Sequence, residues 1–160
     1  MTKITDQDIC FMEMAIKLAG ESIKKKTPFG GPFGAVVVKN GKVIGRGFNR
    51  VIIDHDPTAH GEIVAIRDAC KNIESFDLSG CVLYASCKPC PMCLAAAGWA
   101  NIELIYYAAN SSDAARIGFR DSVMYKDLPH QKAGTKIKSQ APHAAEIMHE
   151  WHEKFYNSIY

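Results

Sequence analysis

Apolar residues in the first third of the chain change from a helical to an extended spacing. They first recur three or four positions apart, which predicts an amphipathic helix with Thr5 or Asp6 as its N-cap; the positions are Ile9, Met12, Ile16, Ala19 and Ile23. The apolar run from Ala35 to Val38 and the returning segment from Val43 to Phe48 then predict two strands. Asn40-Gly41 lies between them and predicts a two-residue hairpin turn, because both residues tolerate positive φ.

The rest of the chain alternates helical and extended patterns. The predicted elements are a helix starting at Asp56-Pro57, a strand over 81–85, a helix from Cys90-Pro91 to Trp99, a strand over 102–108, a short strand over 135–139, and a final helix lined by Ile147 or Met148, Trp151 and Phe155. This order predicts an α/β fold, a three-layer α/β/α sandwich with a mixed central sheet of about five strands. Continuous apolar runs such as Val36–Val38 and Leu104–Tyr107 suit strands that are covered on both faces.

Length, composition and charge narrow the class of protein. With 160 residues, of which 48% are apolar and 22% charged, the chain is expected to form one globular domain. No apolar run approaches the roughly 18 residues of a membrane-spanning helix, and the N-terminus lacks the apolar stretch of a signal peptide. We therefore expect a cytoplasmic protein with no membrane partner. The net charge of +2 and the single basic run Lys24-Lys25-Lys26 do not indicate a nucleic-acid partner.

The six cysteines fall into two groups. In a reducing cytosol cysteines are free thiols or metal ligands rather than disulfides. Three of them stand alone in apolar segments and are expected to be buried structural thiols; they are Cys10, Cys70 and Cys81. Cys87, Cys90 and Cys93 are clustered, and clustered thiols are typical of a metal site.

The spacing of Cys90 and Cys93, together with His60, indicates which metal site this is. Residues at i and i+3 of a helix share a face, so both sulfur atoms can turn towards one point. Zinc favours two thiolates and an imidazole in tetrahedral geometry, and a catalytic site leaves the fourth position to water. We predict one Zn²⁺ held by His60, Cys90 and Cys93. Each lies in the first turn of a predicted helix, whose positive dipole end stabilises the thiolates.

Glu62 distinguishes a catalytic from a structural metal site. A carboxylate two residues from a ligand can reach the bound water, take its proton and deliver it to a substrate. The pair His60-x-Glu62 followed by Pro89-Cys90-x-x-Cys93 is the signature of zinc deaminases. Either half alone is a weak signal, because an isolated CxxC more often marks a structural zinc half-site or a redox motif. A closed structural site with Cys87 as fourth ligand, or an iron–sulfur cluster, remains an alternative.

Beyond these motifs the chain resembles the bacterial guanine deaminases of the cytidine-deaminase superfamily over nearly its whole length. The matching stretches are 31–36, 56–60, 65–67, 90–94, 106–109, 113–115 and 118–122. The last three differ from the tRNA adenosine deaminases, which share the zinc motifs. The resemblance implies a single cytidine-deaminase-like catalytic domain over residues 1–160. It also implies guanine deaminase activity, the hydrolysis of a C–N bond in a cyclic amidine.

The resemblance implies roles for four further residues. Asn49 matches a residue that hydrogen-bonds the bound base, and Phe33 matches an aromatic that packs near it. Asp121 matches an acidic residue that pairs with the N–H donors of guanine, where one carboxylate accepts from two donors together. The terminal Tyr160 matches a tyrosine that reaches a neighbouring subunit's active site. A free purine base as substrate and a homodimer with exchanged C-terminal segments are therefore implied.

Two positions depart from the pattern of these deaminases. Gly61 replaces the usual alanine between His60 and Glu62, at a cost of up to about 1 kcal/mol inside a helix. Lys88 stands where glutamate is common, and a cation there would change the local field and the substrate preference. Neither departure removes a metal ligand or the proton carrier.

The expected reaction is hydrolytic. Glu62 deprotonates a zinc-activated water, the hydroxide attacks C2 of guanine, and the adduct collapses to xanthine and ammonia. Asn49 and Asp121 hold the base so that C2 faces the hydroxide. Two rivals remain: a deaminase of a tRNA adenosine, a cytosine or another aminated ring, and a catalytically silent zinc module that binds partners.

Overall fold

The structure is a computed structural model that describes residues 4–24, 26–119, 136–139 and 144–155. Within these residues the helices and strands follow the predicted order, with two additional short α-helices, over Val51–Asp54 and Ser111–Arg116, and a 3₁₀ helix over Gly20–Ser22. The elements are α1 (Asp6–Ala19), β1 (Gly34–Lys39), β2 (Lys42–Phe48), α2 (Val51–Asp54), α3 (Gly61–Asn72), β3 (Cys81–Cys87), α4 (Pro91–Trp99), β4 (Leu104–Ala109), α5 (Ser111–Arg116), β5 (Lys136–Ser139) and α6 (Ala144–Phe155).

The strands form one five-stranded mixed sheet in the order β2-β1-β3-β4-β5. β1 is antiparallel to both β2 and β3, whereas β3, β4 and β5 are parallel. The hairpin between β1 and β2 turns at Asn40 and Gly41, whose φ angles of 49° and 71° confirm the predicted turn. The predicted strand number and the mixed character of the sheet are likewise confirmed.

Helices cover both faces of the sheet, so the fold has the three predicted layers. On β1, Val36 and Val38 face a core shared with α1, α5 and α6. Ala35 and Val37 face the opposite core, which is shared with α3 and α4. This alternation follows from the two-residue period of a strand, and it explains why β1 reads as a continuous apolar run.

α3 lies unusually close to β2 because glycines on that strand leave room for it. A Cβ atom added at Gly47 would stand 2.2 Å from the Gly61 carbonyl oxygen, and one at Gly45 would stand 2.4 Å from the Ala65 carbonyl oxygen. Either contact would push the helix off the sheet. The two glycines therefore determine where the N-terminus of α3 lies.

The start of α3 was predicted wrongly. The helix begins at Gly61 rather than at Asp56-Pro57. The Asp56 carboxylate instead accepts hydrogen bonds from the backbone N–H and the hydroxyl of Thr58, which close a turn before the helix. Aspartate followed by proline favours turns as well as helix starts, so the local signal was ambiguous.

Two predictions for α1 were also wrong, although Thr5 is its N-cap as expected. Ile9 is 50% exposed, so the buried face of the helix does not include it. Cys10 is exposed rather than a buried thiol. None of the six cysteines, all of which lie in described segments, forms a disulfide. No helix among the described residues is long and apolar enough to cross a bilayer.

Candidate metal centre and the cleft beside it

Two helix starts converge on one point. His60 is the N-cap of α3 and Cys90 is the N-cap of α4, both in extended conformation. Pro91 occupies the first position of α4, where its missing N–H leaves no partner unsatisfied. Cys93 follows in the first turn of α4 and is fully buried. Because both helices point their positive ends at these residues, the local field favours thiolate and carboxylate groups.

The three predicted ligand atoms lie at distances that suit tetrahedral zinc. The Nδ1 atom of His60 is 3.6 Å from Cys90 Sγ and 3.7 Å from Cys93 Sγ. The two sulfur atoms are 3.6 Å apart. A zinc ion with Zn–S bonds of about 2.3 Å and Zn–N bonds of about 2.0 Å places its ligand atoms roughly 3.5–3.8 Å apart. The residues therefore fit the metal that the sequence predicts.

Without a metal the two thiols share one negative charge. A hydrogen bond with Cys93 lowers the pKa of Cys90 to about 4, and a further hydrogen bond with His60 adds to this against the effect of burial. The pKa of Cys93 is raised well above its usual value by its hydrogen bond with Cys90 and by burial. A second thiolate would form only beside a cation, which is what a divalent metal supplies.

Glu62 lies in the first turn of α3, with only 7% of its surface exposed. Burial and, to a smaller extent, the negative charge of Cys90 raise its pKa to about 7, while His60 acts in the opposite direction. A carboxyl group with this pKa both accepts and releases a proton near neutral pH. We call His60, Glu62, Cys90 and Cys93 the metal pocket.

Cys87 does not belong to the metal pocket. Within the part of the chain that the structure describes, the only group of three or more ligand side chains close enough to share a metal is His60, Cys90 and Cys93. The Cys87 thiol instead donates to the carbonyl oxygen of Asn110 at 3.6 Å. The alternative of a closed four-ligand site is therefore not supported by the geometry.

The metal pocket opens into a cleft that three of its four residues line. The lining residues are Phe33, Asn49, His60, Glu62, Cys87, Lys88, Cys90 and Phe119. We call Phe33, Asn49 and Phe119 the cleft wall. Phe33 and Phe119 meet edge to face with ring centroids 4.8 Å apart.

Asn49 is held in the cleft wall from two directions. Its backbone N–H donates to the Phe33 carbonyl oxygen at 2.8 Å, and its side-chain oxygen accepts from the Val51 N–H at 3.2 Å. The side chain is 1% exposed. Structure and sequence therefore agree that Phe33 and Asn49 lie beside the metal pocket.

Asp121 and Tyr160 lie outside the described residues. Phe119 was not predicted to line the cleft, although it falls in the stretch 118–122 that carried the resemblance. Lys88, which departs from the pattern of the guanine deaminases, also lines the cleft.

Comparison with known proteins identifies the type of site. The profile of the cytidine and deoxycytidylate deaminase zinc-binding region matches residues 5–109. The guanine deaminase of Bacillus subtilis is 49% identical over 118 residues, which are 74% of each chain. A crystal structure of guanine deaminase from that species superposes with a TM-score of 0.72, at 40% identity, over 94% of this chain and 95% of the other.

Two more distant relatives mark the range of the similarity. The structure of guanine deaminase from Nitrosomonas europaea has a TM-score of 0.79 at 25% identity, and the match covers 96% of this chain and 87% of the other. The tRNA-specific adenosine deaminase of Aquifex aeolicus is 29% identical over 152 residues, 93% of this chain and 96% of the relative.

Proposed function

Because the chain belongs to the family of deaminases with the cytidine and deoxycytidylate deaminase zinc-binding region, we propose that it deaminates guanine to xanthine and ammonia. The observation that carries the proposal is the buried Glu62 beside three side chains at zinc-ligand spacing, with Glu62, His60 and Cys90 lining one cleft. A structural zinc site has no use for such a carboxylate. The silent zinc module is therefore the weaker reading.

The metal pocket supplies the chemistry. His60, Cys90 and Cys93 would hold zinc, and the bound metal would supply the Lewis acidity that makes a water molecule nucleophilic at neutral pH. Glu62 accepts a proton from that water and later delivers it to the departing amino group. The water oxygen forms a bond to C2 of guanine, the C2–N bond breaks, and ammonia leaves. Burial raises the pKa of Glu62 to about 7, and this supports its role as the proton carrier.

The cleft wall orients the substrate. Phe33 and Phe119 offer apolar ring surface to a flat base, and Asn49 offers a hydrogen-bonding amide. Asp121 is proposed to accept from the N–H donors of guanine, and Tyr160 to reach the cleft of a neighbouring subunit; both roles rest on the resemblance. This positioning holds C2 of guanine against the attacking oxygen, and it thereby increases the rate of the reaction.

The assembly proposed is a homodimer of single catalytic domains over residues 1–160, with exchanged C-terminal segments. α4 supports the dimer, because none of its nine residues has a charged side chain and Trp99 at its end is 86% exposed. A helix that is apolar on all sides is normally covered. Sedimentation equilibrium tests whether the protein is a dimer, and a stable monomer at micromolar concentration would contradict the proposed assembly.

Six cysteines without disulfides support a cytoplasmic location.

Ammonia release from zinc-loaded protein tests the substrate. The panel contains guanine, guanosine, adenine, cytosine, cytidine and a tRNA, and release from guanine alone is expected. The relative from Aquifex aeolicus makes the tRNA the most important competitor. Release from tRNA with a strongly salt-dependent affinity would favour that function instead. Release from no substrate would favour a silent zinc module.

A further inference from the structure

Trp151 of α6 connects the C-terminal helix to the loop beside the cleft. It is fully buried, and its indole Nε1–H donates to the Gly30 carbonyl oxygen at 2.9 Å. The two residues are 121 positions apart in sequence. A buried hydrogen bond of this kind holds its acceptor in place, because losing the donor would leave a carbonyl group unsatisfied away from water.

Gly30 rests directly on Asn49 of the cleft wall. A Cβ atom added at Gly30 would stand 2.0 Å from Asn49 Oδ1 and 2.7 Å from the Asn49 carbonyl oxygen. No side chain fits there, so the Gly30 backbone lies against the asparagine amide. The Gly30 peptide is therefore held between the Trp151 indole on its carbonyl oxygen and Asn49 on its Cα.

The ring of Trp151 contacts a second residue of the cleft wall, Phe119. It packs on Phe119 with ring centroids 5.5 Å apart, and Phe119 in turn contacts Phe33 edge to face. A Cβ atom added at Gly31 would stand 2.7 Å from both the Phe119 and the Phe33 ring. One tryptophan therefore contacts the support of Asn49 through its N–H, and through its ring it contacts Phe119, which packs on Phe33.

We propose that Trp151 is a positioning residue that sets the geometry of the cleft wall, and hence the affinity for the purine ring, without touching the substrate. The proposal rests on the proposed function for its kinetic consequence. Its structural consequence, the ordering of Gly30 and Gly31 against the wall, does not depend on which substrate is used.

Trp151→Phe removes the N–H donor and keeps an aromatic ring, and two readouts test it. We expect KM for guanine to rise about three- to tenfold with kcat changed less than about twofold. In hydrogen exchange we expect the amides of Phe33 and Asn49, which donate to the carbonyl oxygens of Gly31 and Phe33, to exchange about tenfold faster. The amides of α3 and β3 should keep their wild-type rates.

Phe155→Leu is the matched control, because Phe155 is buried on the same helix, packs on Trp151 at 5.7 Å and does not line the cleft. It should lower Tm while KM and the two wall amides stay within about twofold of wild type. Equal changes in both variants would show that Trp151 only stabilises the fold. Unchanged KM and exchange in Trp151→Phe would also overturn the proposal.

Two complications have separate outcomes. If Trp151→Phe does not fold, a benzothiophene isostere of tryptophan in a Trp99→Phe background removes only the N–H and gives the same two readouts. If the wild-type protein does not deaminate guanine, the proposed function fails. Hydrogen exchange then still decides whether Trp151 orders the wall.

Discussion

The four residues of the metal pocket come from the segments 60–62 and 90–93, whereas the three residues of the cleft wall come from widely separated positions. The metal pocket is built at two helix starts, where local conformation and helix dipoles favour its charges. The cleft wall is held by contacts between loops, α2 and α6. The difference shows that the metal pocket is encoded locally, while the shape of the cleft beside it depends on distant packing.

The most severe way to break the metal pocket is Cys90→Ala. Two ligands bind zinc much less tightly than three, so near-complete loss of both bound zinc and turnover is expected. Metal content by mass spectrometry of the native protein, measured alongside ammonia release, checks this.

Cys87→Ala is the control for that variant, since Cys87 is also buried and lies three residues away but donates to Asn110. It should keep one zinc ion per chain. Loss of zinc from Cys87→Ala would mean that Cys87 takes part in holding the metal.

Asn49→Ala breaks the cleft wall and spares the metal pocket. We expect wild-type zinc content and a kcat/KM for guanine reduced about 10- to 100-fold, because the proposed hydrogen bond from Asn49 to the base is lost. Steady-state kinetics and metal analysis on the same preparation separate the two quantities. A zinc content that falls together with activity would show that the two regions are not independent.

Gly61 lies where the metal pocket meets the cleft wall, and Gly61→Ala tests how closely the two pack against each other. Alanine normally favours a helix over glycine, but here its Cβ atom would stand 2.9 Å from the Phe33 carbonyl oxygen and 3.2 Å from Gly34 Cα. We expect the free energy of unfolding to fall by about 1 kcal/mol as the cleft wall shifts.

Gly98→Ala provides the comparison for Gly61→Ala, because nothing lies within 4 Å of a Cβ atom at Gly98 in α4. It should raise the free energy of unfolding by about 0.5–1 kcal/mol. Thermal melts of both variants give the difference in the free energy of unfolding. An equal gain in that free energy from both variants would mean that a Cβ atom fits at Gly61.

Sequence alone predicted the metal pocket because its information is local. Cys90-Pro91 marks a helix start, and the spacing to Cys93 places two thiols on one face. The start of α3 was misplaced because Asp56 caps a turn with Thr58, and only the packing of α3 on β2 shows where the helix begins.

The cleft wall was predicted in part, and only through resemblance. Phe33 and Asn49 have no spacing that marks them as neighbours, and their contact depends on how β1 begins and β2 ends. Trp151 was predicted as a core residue of the last helix, which is correct. Its hydrogen bond to Gly30 joins residues that are 121 positions apart, and no periodicity in the sequence predicts such a contact.

Glu62→Gln tests most directly whether this buried carboxylate carries the proton in a zinc-dependent deamination. Glutamine keeps the size of the side chain and cannot transfer the proton, so zinc content should stay at one ion per chain while kcat falls about 10²- to 10⁴-fold. The measurement is ammonia release from guanine by zinc-loaded wild type and Glu62→Gln, each with its metal content determined. A variant that keeps its zinc and releases ammonia at the wild-type rate would contradict the account.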